Sequence, residues 1–320
     1  MACAIRANEN IEGIKLSVNG QTNEAKISMF ADDTQLLNKN EKSVEKSFEI
    51  LNIYELASGA KVNFEKTRGL FIGRLKGKKP KFTKIKWIKT NVKTLGVYHG
   101  YDIEENVIWK PKIDKIKSCM EIWKTRNLSF KGKVLIVKNL IVSIIGYEID
   151  MRGIPDNYLK EINNLIWGFI WDNKVNQIER NVCCLEKEKG GMDMINLFSF
   201  VKSRQIKLLY RIIHAEEETW NILGKKWLQS YDIETGIEYF LCYCSDISSL
   251  KLDKIPKFYR NMLNSLCILR CKFQPCTIHD ILSIQLFCNM DIKFGGKPLY
   301  FKSFLKSNIT TLRDIWDLEN

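Results

Sequence analysis

The chain has 320 residues, 45% of them apolar, and a formal net charge of +13. That length allows one to three domains of roughly 100–200 residues each. The apolar share supports a sizeable core, which excludes a wholly disordered chain, and the charge favours a polyanionic partner, most simply nucleic acid. The most apolar stretch, Val134 to Tyr147, is interrupted by Lys138 and Asn139 and is too short to span a bilayer. No basic segment leads into an apolar run at the N-terminus, so an intracellular, cytoplasmic or nuclear protein is expected rather than a secreted one. Its ten cysteines are then expected to be reduced thiols.

In chain order, Ile14 to Val18 alternates as a strand does, and Asn19-Gly20 is a turn signal. The stretch Ile27-Ser28-Met29-Phe30-Ala31-Asp32-Asp33-Thr34-Gln35-Leu36-Leu37 then sets two adjacent carboxylates between two apolar runs. Turn chemistry places Asp32 and Asp33 at the tip of a tight hairpin. Neighbouring negative charges repel, and a hard divalent cation such as Mg²⁺, which takes carboxylate and phosphate oxygens together, gives the pair a purpose. A plain surface turn is the alternative. Val44, Phe48, Leu51 and Tyr54 recur at helical spacing, which predicts a helix over Glu41 to Ala57 that Ser58-Gly59 stops. Short strands are predicted at Lys61 to Phe64 and Leu70 to Ile72.

Arg74 to Lys89 is a basic run holding Arg74, Lys76, Lys78, Lys79, Lys81, Lys84, Lys86 and Lys89 with no acid among them. It reads either as a solvated loop or as a phosphate-contacting surface. Phe82 and Trp87 within it either pack as strand residues or stack on bases. Two strands are predicted across Ile85 to Tyr98, ending at Leu95-Gly96-Val97, where Gly96 admits a close backbone or ligand approach or marks a bulge.

From Pro111 the pattern turns helical. Ile113, Ile116, Met120 and Trp123 form one stripe, and Lys131 to Tyr147 is apolar nearly all round, as in a central helix. Pro155-Asp156 opens a helix facing inward with Leu159, Ile162, Ile166, Phe169 and Ile170. Gly190-Gly191 marks a turn before a helix over Asn196 to His214 with Leu197, Val201, Leu208 and Ile212 on its buried side. Helices are also predicted within Asp253 to Ile268 and Tyr300 to Trp316. Cys183-Cys184 is predicted on a strand, pointing to opposite faces. Cys267, Cys271, Cys276 and His279 are grouped, but their spacing is not a standard zinc pattern, and Cys267 and Cys271 suit a buried helix face.

Phe30-Ala31-Asp32-Asp33 between apolar strands resembles the aspartate-pair motif of reverse transcriptases, in the form of the LINE-type (non-LTR) retrotransposon branch. Ser58 to Thr67, Leu95-Gly96-Val97, Leu165 to Trp171 and Glu186 to Met192 follow in the order and rough spacing of that family, and the resemblance fades after about Trp220. It implies an α+β fold: a partial polymerase palm over residues 1–103, a helical thumb-like bundle over 104–215 and a connection region over 216–320. It implies Asp32 and Asp33 as catalytic Mg²⁺ ligands and Lys66 near the leaving phosphate. Leu95-Gly96-Val97 resembles the primer-grip hairpin. The implied partner is an RNA/DNA template–primer duplex, contacted by Lys78, Lys79, Lys81, Gly96, Lys112 and Lys115. The family also uses a third aspartate and a Gly-containing template-binding segment, both expected before Met1, so the chain reads as a C-terminal polymerase fragment that binds nucleic acid without polymerising alone. A helical scaffold derived from a retrotransposon, or an inert pseudogene product, are the other readings.

Overall fold

The computed structural model describes residues 1–18, 21–214, 219–229, 255–272, 275, 277–287, 289 and 291–319. The fold is α+β, with helices and small two-stranded sheets, and its backbone contacts form two units, Met1–Lys112 and Ile113–Asn320. Among the described residues no helix is long and apolar enough to cross a membrane.

The first unit opens with helix α1 (Ala2–Ala7) and the antiparallel hairpin β1 (Ile14–Val18) with β2 (Gln21–Ala25). A second hairpin, β3 (Ile27–Phe30) with β4 (Asp33–Leu36), leads into helix α2 (Glu41–Ser58). Ile5, Ile11 and Ile27 form the core beneath this hairpin, and Leu36 and Ile50 pack against it. Lys26 is buried beside them. Its ammonium donates to the carbonyls of Arg6 (3.1 Å) and Asn8 (2.9 Å) at the end of α1, where a helix presents unsatisfied carbonyls and favours a cation.

Helix α2 ends at Gly59 as predicted, but of its predicted stripe only Leu51 is buried, with Val44 and Phe48 half-buried. Ser43, Ser47 and Leu51 are buried, and Tyr54 is exposed. Ser43 Oγ accepts the Glu12 N–H at 2.9 Å, and Ser47 Oγ donates to the Ser43 carbonyl at 2.8 Å, so this face is held by hydroxyls. Phe48 turns instead to a second cluster, with its ring 4.8 Å from Phe82 and 6.0 Å from Phe64.

No strand forms at Lys61 to Phe64. Asn63 organises a turn there, its carbonyl accepting the N–H groups of Lys66 and Thr67 and its side chain also accepting from Lys66. Short polar side chains that bond nearby backbone favour turns over strands. The chain then forms β5 (Arg68–Leu70), which pairs in parallel with β6 (Lys86–Ile88). Most of the basic run, Arg74 to Lys84, lies in the crossover between these two strands, and Lys86 is on β6 itself. Trp87 on β6 stacks on Phe71 with centroids 4.3 Å apart, and lies so close over Gly69 that a Cβ there would meet its ring at 2.7 Å. The last pair of this unit is the antiparallel hairpin β7 (Asn91–Thr94) with β8 (Val97–Gly100).

Helix α3 (Glu105–Lys124) starts six residues before Pro111, which lies inside it. Further on come α4 (Phe130–Ile136), a π-helical turn (Val137–Ile141) and α5 (Val142–Arg152), followed by α6 (Asp156–Ile170). All five predicted inward residues of α6 are buried. Cys183 ends a short helix, α7 (Arg180–Cys183), so Cys183-Cys184 is not on a strand. Helix α8 (Leu197–His214) buries Leu197, Val201, Leu209 and Ile212, with Leu208 only half-buried. It packs against α9 (Thr219–Gln229) and α10 (Lys257–Lys272) around Leu228, Met262 and Leu263. At the C-terminal end α12 (Lys302–Lys306) and α13 (Leu312–Glu319) contribute Leu305, Leu312 and Ile315 to a cluster with Leu286 and Phe287, and α11 (Ile278–Leu282) contacts α13.

Candidate nucleic-acid interface

The β3–β4 hairpin is rooted by Ile27 in the core and closed at its base by the Leu37 N–H donating to the Lys26 carbonyl at 2.8 Å. Phe30 pairs with Asp33 across the ladder, which leaves Ala31 and Asp32 as the two-residue loop. Ala31 takes a φ of 51°. Two-residue hairpin loops need positive φ, normally supplied by Gly or Asn, and a residue with a Cβ is destabilised there by about 1–2 kcal/mol. Asp32 and Asp33 are both exposed, and Phe30 beside them is 69% exposed. Among the described residues neither aspartate makes an ion pair, and no group of three or more His, Cys, Asp or Glu side chains is placed to hold a metal. Asp32 in the loop and Asp33 at the start of β4 are the residues that could hold a cation such as Mg²⁺, which keeps several waters and takes one or two carboxylates.

Lys66 is exposed in the turn set by Asn63. No hydrogen bond or ion pair joins it to Asp32 or Asp33. Leu95 and Gly96 form the tip of the β7–β8 hairpin with φ of 51° and 82°, the backbone a two-residue type I′ turn requires. Both are exposed, and Val97 behind them is buried. Lys112 and Lys115 stand three residues apart on α3, Lys112 half-buried and engaged within the fold, Lys115 exposed. Farther along α3, Lys117 and Lys124 join Lys160 of α6 around a hollow of about 520 Å³, where Lys117 lies 3.6 Å from Glu161.

The aromatic residues of the basic run are not available to bases. Phe82 is buried against Phe48, and the Trp87 Nε1–H donates to the Phe82 carbonyl at 2.6 Å. The lysines point outward: Lys78, Lys79 and Lys81 are exposed and border a second hollow, of about 590 Å³, that they share with Lys42 and Glu45 of α2. Lys42 gave no signal in the sequence, because its place beside the run depends on hydrogen bonds made across some forty residues. Of the grouped cysteines, the side chains of Cys271 and Cys276 lie outside the described residues; Cys267 is half-buried on α10, and His279 Nδ1 lies 3.5 Å from Arg313.

Comparison with known proteins adds a relationship to transposons. The chain is 25% identical over 281 residues to an uncharacterized 149 kDa protein of transposon TX1 from Xenopus laevis, a match covering 83% of this chain and 21% of that one. It is 20% identical over 119 residues to a putative ribonuclease H protein of Arabidopsis thaliana, covering 36% of this chain and 19% of that one. The chain therefore spans about a fifth of the length of these relatives. No family model matches it.

Proposed function

We propose that the chain is part of a retrotransposon-encoded RNA-directed DNA polymerase and binds a template–primer duplex. One observation carries the reading: two adjacent aspartates stand exposed at the end of a hairpin, Asp32 in the loop beside Ala31, a non-glycine residue held at a φ of 51°, and Asp33 opening β4. Backbone outliers of this kind cluster at functional sites. The similarity to a transposon protein over 83% of the chain supports the origin.

In this reading residues 1–103 are the partial palm and residues 104–215 the thumb-like helices. Asp32 and Asp33 are the residues that would hold Mg²⁺ beside substrate phosphates. What the ion supplies when bound is a lowered pKa at the attacking hydroxyl and a steadied leaving group. Lys66 offers a cation to the departing phosphate, and the Leu95-Gly96 tip brings bare backbone to the primer. Lys112 and Lys115 add charge along α3.

Fluorescence anisotropy with a labelled RNA–DNA hybrid, run beside primer extension in Mg²⁺ and Mn²⁺, tests the proposal. The expected result is binding that weakens with salt, and no extension, since no third carboxylate joins the pair among the described residues. Extension abolished by Asp32→Ala would show the site to be complete. No binding at low salt, with a cooperative melt, would favour a scaffold and overturn the reading.

A further inference from the structure

We propose that the hollow between the basic crossover and the first turn of α2 is a binding site for the sugar–phosphate backbone of nucleic acid, with Glu41 as its positioning residue. The inference rests on the nucleic-acid reading above and adds a defined anchor to it.

The crossover is a fixed loop. Its Lys76 and Lys78 N–H groups donate to the Gly73 and Leu75 carbonyls, both at 3.1 Å. At its far end Glu41 Oε2 accepts the N–H of Lys81 at 2.5 Å and of Phe82 at 3.2 Å, while the Phe82 ring is buried against Phe48. These bonds join residues 40 and 41 positions apart in sequence, so one carboxylate fastens the lysine loop to the helix.

The loop gathers cations without neutralising them. Lys42, Lys78, Lys79 and Lys81 border the hollow, and among the described residues none of the four has a carboxylate partner. Lys76, by contrast, is committed: its ammonium lies 3.4 Å from Asp102 and 4.2 Å from the Tyr101 ring centroid. Glu45 is the other acid at the rim, and the Glu41 oxygen that holds the loop is occupied by two backbone donors. Lysine ammoniums bind phosphates as point charges. With Phe82 and Trp87 turned into the fold, the site carries no aromatic face to stack on a base, so it reads backbone rather than sequence.

Glu41 makes the proposal sharply testable, because charge and positioning predict opposite signs. On charge alone, removing an acid from a basic hollow tightens anion binding. If Glu41 positions the loop, Glu41→Ala releases Lys78, Lys79 and Lys81 and weakens binding although net charge rises. Glu41→Gln keeps an acceptor oxygen and loses the charge, so it binds at least as tightly as the parent chain. The measurement is anisotropy of an RNA–DNA hybrid at several salt concentrations, with thermal melts to confirm that each full-length variant is folded. A Lys78→Ala, Lys79→Ala, Lys81→Ala variant should flatten the slope of log affinity against log salt by about 0.9 for each phosphate that is no longer neutralised. An unchanged slope, or equal tightening by both Glu41 variants, overturns the site while leaving hybrid binding in place. A parent chain that binds no hybrid overturns the nucleic-acid reading and the site with it.

Discussion

The Lys138 ammonium lies 2.6 Å from the Asp193 carboxylate and 3.1 Å from the Asp193 carbonyl, so the π-helical turn between α4 and α5 is clamped to the loop after Gly190-Gly191. A π-turn carries one extra residue and re-aims the side chains after it. Asp193 answers with a φ of 55°, a left-handed conformation that Asp tolerates better than most residues. The Lys138 hydrogen bond and charge hold the Asp193 carboxyl below its usual range.

A pH dependence follows from that direction. A carboxyl depressed in the folded state stabilises the fold above its unfolded pKa, near 3.9, and the contribution disappears as pH falls through the folded value. Urea melts from neutral pH to pH ~3 should show a steeper acid loss for the parent chain than for Asp193→Asn. Both side chains are partly exposed, so the difference should shrink in high salt. Identical acid profiles would mean that the pair contributes nothing to stability.

The buried aromatic of the basic run provides a second test. Phe82→Ala should destabilise the first unit by about 3–5 kcal/mol, the usual range for a large aromatic removed from a core. Lys84→Ala, on the exposed surface of the same run, should stay within about 0.5 kcal/mol. Unchanged stability in Phe82→Ala together with weaker hybrid binding would return the ring to base stacking.

Those two side chains mark what the sequence made legible. The existence of the hairpin, the Gly59 stop and the inward face of α6 were readable because turn residues and helical periodicity act locally, although the tip falls at Ala31-Asp32, one residue before the expected Asp32-Asp33. The buried face of α2 was not. Of its stripe, Leu51 lies on the buried face, but Val44 and Phe48 sit one residue away from the buried Ser43 and Ser47, because hydroxyls that bond to backbone can pack as closely as apolar groups. Pro111 suggested a helix start, since Pro favours the first turn, but α3 begins at Glu105, whose carboxylate accepts the Trp109 Nε1–H at 3.2 Å. The Glu41 bonds to Lys81 and Phe82 are set by tertiary folding and left no trace in local pattern.

Ser43 carries a prediction of its own. It supplies the acceptor for the part-buried Glu12 N–H, so Ser43→Ala should cost about 1–3 kcal/mol in a urea melt, the penalty for an unsatisfied donor. A neutral result would mean that water replaces the hydroxyl.

The strained hairpin tip yields another pair of variants. Ala31→Val puts a β-branched residue at a φ of 51° and should destabilise by more than about 1 kcal/mol, whereas Ala31→Gly should be neutral or stabilising by up to about 1 kcal/mol. Equal stability of the two variants would show that the tip relaxes freely and is not held in place.

The most direct test of the account is the Mg²⁺ dependence of hybrid binding at constant ionic strength, in the parent chain and in the Asp32→Asn, Asp33→Asn double variant. If the pair holds the ion against phosphate, Mg²⁺ strengthens binding by the parent chain. The double variant, relieved of two negative charges, then binds at least as tightly without Mg²⁺ but gains nothing when it is added. An equal Mg²⁺ response in the two proteins would contradict the assignment of Asp32 and Asp33 as the metal-holding pair.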